Sequence, residues 1–142
     1  MQLTTKGRYA ITAMLDLASS NKKQPITLYK ISERQNISIS YLEQLFSKLR
    51  KHNLVKSIHG PGGGYIINTE IGEINIRQII EAVDENVDLR RCGGTSNCNN
   101  GKQCISHSLW CEMSAQIREF LNSKTLSQII QDHKDKNLDF QY

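Results

Sequence analysis

Residues 28–68 read LYKISERQNISISYLEQLFSKLRKHNLVKSIHGPGGGYIIN, and this stretch decides the fold. Near its centre, Ser40 and Glu43 have the spacing of a capping box, in which two side chains satisfy free backbone groups at a helix start. The apolar residues that follow recur at helical spacing and form one stripe: Leu42, Leu45, Phe46 and Leu49. The stretch therefore predicts a helix that begins near Ser40.

A short helix is predicted just before this one. It opens after Pro25 and Thr27, turns Leu28 and Ile31 inward and closes at residues 35–36, whose side chains are polar. The connection between the two helices is only a few residues long. Two helices joined by so tight a turn are typical of a helix-turn-helix, although a plain three-helix bundle has the same pattern.

The chain begins with a further amphipathic helix. Thr4 and Thr5 can cap its start, and the pattern ends near Asn21. Its apolar face has the spacing i, i+3, i+4, i+7 and i+8, given by Ala10, Ala13, Met14, Leu17 and Ala18. This helix would pack behind the helix-turn-helix.

The second helix of a helix-turn-helix enters the major groove of DNA with its N-terminal end toward the bases. Polar side chains that could donate or accept hydrogen bonds there lie off the apolar stripe: Ser38, Ser40, Tyr41 and Gln44. Cationic side chains near the other end would lie closer to phosphates: Lys48, Arg50 and Lys51. The helix is therefore predicted to read DNA.

A glycine-rich turn follows between two strand-like runs, Leu54 to Ile58 and Tyr65 to Asn68. The turn contains His59, Gly60, Pro61, Gly62, Gly63 and Gly64. Glycines let a backbone approach DNA closely, and Pro61 would stiffen the tip. Such loops also bind nucleotide phosphates, but the Lys-Ser/Thr of that motif is absent here. A hairpin placed after a reading helix predicts the wing of a winged helix-turn-helix.

The charge is unevenly distributed along the 142 residues, although the net value is only +4. Residues 1–68 contain ten Lys and Arg against three Asp and Glu, whereas residues 69–142 contain eight against eleven. The first part is therefore at +7 and the second at −3. This asymmetry favours a polyanionic partner for the first part, with a solvated basic surface as the alternative.

Three more helices are predicted in the second part. One covers residues 74–87, and a last short one starts after Thr125 and frays from His133 onward. Between them lies a long helix with apolar residues every four positions: Ile105, Leu109, Met113, Ile117 and Leu121. Its wide apolar face needs a cover, either the protein's own domain or a second copy, and a palindromic operator favours the dimer.

Four cysteines and a histidine lie close together in the sequence: the first three cysteines and the histidine have the pattern C-x5-C-x5-C-x2-H, and Cys111 follows them. The segment between Cys92 and Cys104 has no aliphatic or aromatic side chain, so it is either mobile or held by a ligand. Disulfides need an oxidising compartment, and structural zinc usually has shorter gaps. A loop of this length favours an iron-sulfur cluster.

The fourth ligand stays open at this point. Cys104 and His107 would share one helical face if the helix begins there. Cys111 lies four residues after His107 on the same face and competes for the position, although His107 is nearer the loop. An imidazole ligand can be protonated, which makes it the weak point of the site and suits a sensor better than an electron carrier.

These residues resemble the IscR family of bacterial iron-sulfur cluster regulators, which are winged-helix transcription factors. The resemblance covers residues 1–132 and is carried by MQLTTKGRYAITAMLDLA, ISISYLEQLFSKLRKHNLV, GPGGGY, EAVDENVD and the cysteine loop. It implies a homodimer that binds a [2Fe-2S] cluster through Cys92, Cys98, Cys104 and His107. It also implies that cluster occupancy controls the repression or activation of cluster-assembly genes, with the assembly machinery as cluster donor.

The same resemblance implies that Ser38, Ser40, Tyr41 and Glu43 lie at base edges. Glu43 would both cap the helix and select cytosine, whose N4 group can donate to a carboxylate. The chain departs from the family pattern at His59, because the family members have Arg at this position of the wing. We expect this departure to affect operator affinity. Cys111 is a second departure.

We therefore expect a mainly α-helical, cytoplasmic protein without a membrane span. The expected parts are a winged helix-turn-helix (1–88), a cluster loop (89–103), a dimerisation helix with a C-terminal helix (104–133) and a flexible tail (134–142). The expected function is cluster-controlled operator binding. The alternatives are a nitric-oxide-sensing repressor of the same fold and an electron-transfer protein. No set of nucleophile, base and orienting group suggests an enzyme.

Overall fold

A computed structural model describes residues 3–20, 24–90 and 92–136. These residues form six helices and one two-stranded antiparallel sheet: α1 (Thr5–Ser19), α2 (Leu28–Gln35), α3 (Ile39–Lys51), β1 (Val55–Ile58), β2 (Gly64–Ile67), α4 (Ile76–Ala82), α5 (His107–Ser123) and α6 (Leu126–Asp135). The mainly helical fold with a hairpin wing is confirmed. No helix in this described part is both long and apolar enough to cross a membrane.

The apolar stripes of α1 and α3 form the centre of the core. Met14, Leu42 and Phe46 are fully buried, and the other predicted members of both stripes are buried with them. Asp16 of α1 is also buried, where it accepts hydrogen bonds from Arg34 and Gln35 of α2. The periodicity of the sequence thus placed α1 and α3 correctly. Helix α1 ends at Ser19, close to the expected end near residue 21, which itself lies outside the described residues.

The start of α3 differs from the prediction. Ser38, and not Ser40, is the N-cap, and its hydroxyl accepts a hydrogen bond from the backbone N–H of Tyr41 at 3.2 Å. Ser40 lies in the first turn, and Glu43 makes no capping contact there, so the capping role predicted for Glu43 is wrong. Thr27 caps α2 as predicted, and Asn36 ends it in the left-handed conformation that permits the tight turn.

The wing is an antiparallel hairpin in which Val55 pairs with Ile67 and Ile58 with Gly64. Its base is attached to the residues before α2, because Ile26 and Tyr65 exchange two backbone hydrogen bonds of 3.0 and 2.8 Å. A side chain at position 64 would lie 2.5 Å from the Ile26 carbonyl oxygen. This glycine is therefore required by the fold itself, and its predicted approach to DNA stays a prediction.

Helix α4 is shorter than predicted and covers residues 76–82 instead of 74–87. A capping box does occur here, with Asn75 and Gln78 satisfying each other's backbone N–H groups. Asp84, in the left-handed conformation at φ 62°, follows the end of the helix. The chain then leaves the helical path and runs as an irregular segment, residues 84–90, toward the cysteine loop.

Helix α6 completes the core of the N-terminal part. Leu126 and Ile130 belong to the same buried cluster as the residues of α1, and Leu126 donates a backbone hydrogen bond to Ile74. Thr125 caps this helix as predicted. The helix continues to Asp135, past the points where fraying and a flexible tail were expected, and residues 137–142 lie outside the described part. The division of the chain into parts at 88 and 104 stays a prediction.

Candidate metal centre and nucleic-acid interface

The outer face of α3 presents polar side chains to solvent at its N-terminal end. Ser38, Ser40, Glu43 and Gln44 are exposed, as a reading surface requires. Tyr41 is different, because its ring is half-buried and meets Tyr9 edge-on with 5.7 Å between the ring centroids. The packing of Tyr41 fixes its ring against α1. Its predicted contact with DNA is thus limited to its exposed side.

The cations at the C-terminal end of α3 fall into two groups. Arg50 and Lys51 are exposed in the last turn, as predicted for phosphate contacts. Lys48 instead forms an ion pair of 2.8 Å with Asp84, which follows α4. The pKa of Asp84 lies below its ordinary value because of the hydrogen bond and charge of Lys48. In the free protein, Lys48 therefore has a carboxylate partner where a phosphate was expected.

The tip of the wing projects into solvent. His59, Gly60, Pro61 and Gly62 are all exposed, and the backbone N–H of Gly63 closes the turn onto the Gly60 carbonyl at 2.9 Å. Gly60 and Gly62 have φ values of 92° and 75°, in the region that favours glycine. A Cβ atom added at either position would have none of the described residues within 4 Å beyond its chain neighbours, so the tip has room for a DNA backbone.

The polar loop between Cys92 and Cys104 is folded by its own hydrogen bonds. The Thr95 hydroxyl donates to the Cys92 carbonyl at 2.8 Å, and Asn99 and Lys102 form an isolated antiparallel bridge. Ser96 and Asn100 adopt the left-handed conformation within these turns. The loop thus has an ordered path in which its cysteines turn toward the start of α5.

Three predicted ligands come together at this place. Cys92 Sγ and Cys98 Sγ lie 3.8 and 3.5 Å from Nδ1 of His107, and the three donor atoms lie within 4.8 Å of one another. They line a cavity of about 410 Å³ together with Cys104, Arg90 and other residues. His107 itself is buried, with 8% of its surface exposed. Such a set of thiols and one imidazole is suited to a thiophilic metal or an iron-sulfur cluster.

Cys104 reaches the cavity by a different route from the one expected. The sequence suggested that Cys104 and His107 share a helical face, but α5 begins only at His107 and Ser106 is its N-cap. A turn places Cys104 instead, in which the His107 N–H donates to the Cys104 carbonyl at 3.1 Å. Ile105, predicted as the first apolar residue of the helix, is outside it and fully exposed.

Hydrogen bonds make the three loop thiols electrostatically unequal. Burial raises the pKa of Cys92, but backbone N–H groups of Gly94 and Ser96 outweigh it, and the net pKa is lowered. The pKa of Cys104 is also lowered, first by its hydrogen bond with Cys98. The Cys104 N–H lowers the pKa of Cys98, but the Cys104 side chain and burial raise it by more. The net pKa of Cys98 is therefore raised. Cys92 and Cys104 are thus the thiols that ionise more readily, which favours metal binding.

A polar network that the sequence did not predict extends from Arg90, one of the residues that line the cavity. Asp88 accepts hydrogen bonds from Arg90 through both carboxylate oxygens, at 2.9 and 2.7 Å, and from the buried Ser114 hydroxyl at 3.3 Å. Asp88, and after it Cys111, raise the pKa of the Arg90 guanidinium, so Cys111 lies close to this cation. One signal could have revealed part of it, since His107, Cys111 and Ser114 follow the helical spacing i, i+4, i+7 and so share a face of α5.

Fold and site together define a winged helix-turn-helix protein with a cysteine and histidine pocket at the start of α5. The chain matches the Rrf2 family, described as iron-dependent transcriptional regulators, over residues 3–132. It is 52% identical over 134 residues to the HTH-type transcriptional regulator IscR of Sodalis glossinidius, which covers 94% of this chain and 81% of that protein.

Solved structures agree with this similarity. The structure of T. potens IscR matches with a TM-score of 0.80 at 34% identity and covers all of this chain and 95% of that one. The structure of CymR, described as the global cysteine regulator of B. subtilis, matches with a TM-score of 0.79 at 32% identity, over 91% of this chain and 95% of that one. The chain belongs to the Rrf2 family and is an IscR-type, DNA-binding transcriptional regulator; its relatives are regulators and not enzymes.

Proposed function

We propose that this regulator holds a [2Fe-2S] cluster through Cys92, Cys98, Cys104 and His107, and that cluster occupancy sets its affinity for operator DNA. The observation that carries the proposal is the convergence of Cys92 Sγ, Cys98 Sγ and His107 Nδ1 within 4.8 Å of one another. The relatives named IscR and the iron-dependent family description support the same cofactor.

The donor set fits such a cluster in number and in charge. Four ligands hold a two-iron cluster, and Cys104 lines the same cavity as the other three. Arg90 places a positive charge at the wall, where it offsets part of the negative charge of three thiolates. When bound, the cluster would make the state of the protein depend on the supply of iron and of oxidants. The chain's own residues would bind it, bury it beside His107 and order the loop around it.

Operator binding is assigned to the exposed face of α3 and to the wing. Ser38, Ser40, Tyr41, Glu43 and Gln44 face the bases in this proposal. Arg50, Lys51 and the tip of the wing, residues 59–62, contact the phosphates or the minor groove. Lys48 joins them only when its ion pair with Asp84 opens. The +7 charge of residues 1–68 supports the assignment.

A homodimer through α5 is the third part of the proposal. The two buried residues of α5 are polar, His107 and Ser114. Several of its large apolar side chains are exposed, with Leu109 at 51%, Met113 at 40% and Phe120 at 60%, whereas Ile117 and Leu121 are half-buried. An apolar face of this kind needs a cover, and a second copy of α5 supplies one with two-fold symmetry.

The dimer is tested by sedimentation of the purified protein. The variant F120D should sediment as a monomer, because it places a charge in the apolar face. N122D is the matched control, because Asn122 is exposed and helical spacing places it on the side of α5 opposite Leu109, Met113 and Phe120; this variant should remain dimeric. A wild-type monomer at micromolar concentration would contradict this part of the proposal.

The cofactor is tested on protein purified without oxygen. We expect two iron and two sulfide ions per chain, visible absorption, and two inequivalent iron sites in the Mössbauer spectrum. Four iron ions per chain would favour the nitric-oxide-sensing alternative. Zinc in a colourless protein would overturn the cluster and leave a DNA-binding protein with a structural metal.

The regulatory part is tested by gel shifts with cluster-bound and cluster-free protein on the same operators. Affinity should differ between the two forms at one class of operator at least. Equal affinity at every operator would refute the switch and leave DNA binding intact. The target genes that we propose encode cluster assembly, whose machinery would then donate the cluster. Chromatin immunoprecipitation with and without iron tests the choice of genes.

A further inference from the structure

Both ring nitrogens of His107 have a sulfur neighbour. Nδ1 faces Cys92 and Cys98, the two loop thiols, at 3.8 and 3.5 Å. Nε2, on the other side of the ring, lies 3.3 Å from Cys111 Sγ and 3.5 Å from the Ser96 hydroxyl. An imidazole binds a metal through one nitrogen, and the hydrogen bond of the other decides which one is free.

Cys111 is not a member of the converging donor group. That group consists of Cys92, Cys98 and His107, whereas Cys111 lies one turn further along α5. Its neighbours are Nε2 of His107 and the guanidinium of Arg90. Arg90 has only hydrogen-bond donors, so the Cys111 sulfur is an acceptor in this contact.

Arg90 is itself held in place. Its Nε and Nη2 donate to both oxygens of Asp88, which also accepts from the Ser114 hydroxyl. Ser114 has 1% of its surface exposed, and its hydroxyl oxygen accepts from the Leu89 N–H at 2.8 Å. The contacts thus form a chain from the buried Ser114 through Asp88, Arg90 and Cys111 to His107.

We propose that Cys111 is a positioning residue that accepts the Nε2–H of His107 and so directs Nδ1 toward the cluster. Asp88 and Arg90 hold the sulfur in place for this purpose. The inference rests on the proposed ligand set and assigns the fourth ligand to His107, with Cys111 outside the coordination sphere. Hydrogen-bond partners of this kind orient metal-bound histidines, and their loss typically lowers metal affinity about 10- to 100-fold.

The first test uses the cluster-bound full-length protein and three variants: C111A, C111S and S96A. C111A should still assemble two iron per chain and retain the ¹⁴N coupling of His107 in pulsed EPR spectra of the reduced cluster. It should lose the cluster to a chelator about 10-fold faster than wild type. C111S retains an acceptor and should lie close to wild type, and S96A removes the more distant Nε2 neighbour and serves as the control.

Two results would overturn the inference. Unchanged cluster loss in C111A would show that the sulfur does not hold the ring. A C111A protein without cluster, together with an H107A protein that retains the cluster, would make Cys111 the ligand. Circular dichroism of each variant checks that the fold is intact.

A second test does not depend on the cluster. Long-range ¹H–¹⁵N correlation spectra of the cluster-free protein report which ring nitrogen carries the proton. We expect Nε2–H for His107 in the wild type and a mixture of tautomers in C111A. A wild-type ring protonated at Nδ1 alone would overturn the inference. A protein that binds no iron but has the Nε2–H tautomer would refute the proposed function and not the hydrogen bond.

Discussion

The ammonium group of Lys48 lies 2.8 Å from the Asp84 carboxylate, and this ion pair connects the last turn of the reading helix to the segment that leads to the cysteine loop. The pair is largely exposed, with 67% of the Asp84 side chain accessible, so it adds little to stability. Its consequence is electrostatic, because Asp84 competes with a DNA phosphate for the same cation.

Replacing Asp84 with asparagine (D84N) should therefore strengthen DNA binding. The freed Lys48 can neutralise one more phosphate, so the slope of log affinity against log salt should steepen by about one. The gain should be similar on operator and unrelated DNA, since a phosphate carries no sequence information. Fluorescence anisotropy at several salt concentrations measures it. E81Q, which removes an exposed carboxylate from α4, is the control, and equal slopes in both variants would contradict the competition.

Removal of the Lys51 charge should have the opposite effect on DNA binding. It is exposed at the C-terminal end of α3, where we expect the phosphates of bound DNA to lie. K51A should weaken binding to all sequences alike and reduce the salt slope by about one. K134A removes an exposed cation from α6 and should leave the slope unchanged. A loss confined to the operator would instead show that Lys51 contacts bases.

Cys92 is the loop ligand whose removal tests the metal centre most directly. C92A should abolish the visible absorption, because three ligands do not retain the cluster. Dimerisation should persist, since the exposed apolar face of α5 contains none of the loop. The measurement is an absorption spectrum with sedimentation of the same sample. An unchanged spectrum would mean that the ligand set is wrong.

The buried carboxylate of Asp16 is expected to contribute to the stability of the core, and a substitution tests this. D16N leaves the Arg34 guanidinium beside a neutral amide, and Arg34 has only 21% of its side chain exposed. We expect the free energy of unfolding to fall by about 2 to 3 kcal/mol, somewhat less than for a fully buried pair. Urea denaturation of cluster-free protein measures it, with the exposed Asp132 changed to asparagine as control. A loss below about 0.5 kcal/mol, typical of surface changes, would contradict this role.

The helices could be predicted because their apolar periodicity is local information, but the exact start of α3 could not. Ser38 and Ser40 both satisfy the local rule for a cap. The choice depends on burial, since Ile37 is 3% exposed and Ile39 is 39% exposed, and burial of Ile37 places Ser38 at the cap. With Ser38 as cap, Ile37 and Leu42 occupy the positions of a hydrophobic staple, a signal that the sequence did contain.

For the candidate metal centre, the closeness of its cysteines and histidine could be predicted, but the surroundings of these residues could not. Cysteine spacing and resemblance indicated the loop, and the structure brings three of the four residues together. The network of Asp88, Arg90 and Ser114 depends on contacts between distant segments, such as the hydrogen bond from Ser114 to Asp88. The backbone bridge from Ile26 to Tyr65, which attaches the wing, depends on them as well. No short-range pattern encodes such contacts.

The hydrogen-bond network around Arg90 should make the stability of the fold depend on acid pH through Asp88. The hydrogen bonds from Arg90 hold the pKa of this carboxyl well below its usual range. A carboxyl with a depressed pKa stabilises the fold above its unfolded pKa of about 4, and this contribution is lost as pH falls through the folded pKa. The variant D88N has no such contribution at any pH. We therefore expect it to melt at a lower temperature than wild type at pH 7 and pH 5. This gap in melting temperature should narrow only below about pH 4.

Circular dichroism melts of both cluster-free proteins from pH 7 to pH 3 measure the gap. The contributions of titratable groups that both proteins share cancel in this difference. D132N should show no comparable gap, and a D88N gap that stays constant down to pH 3 would contradict the assignment.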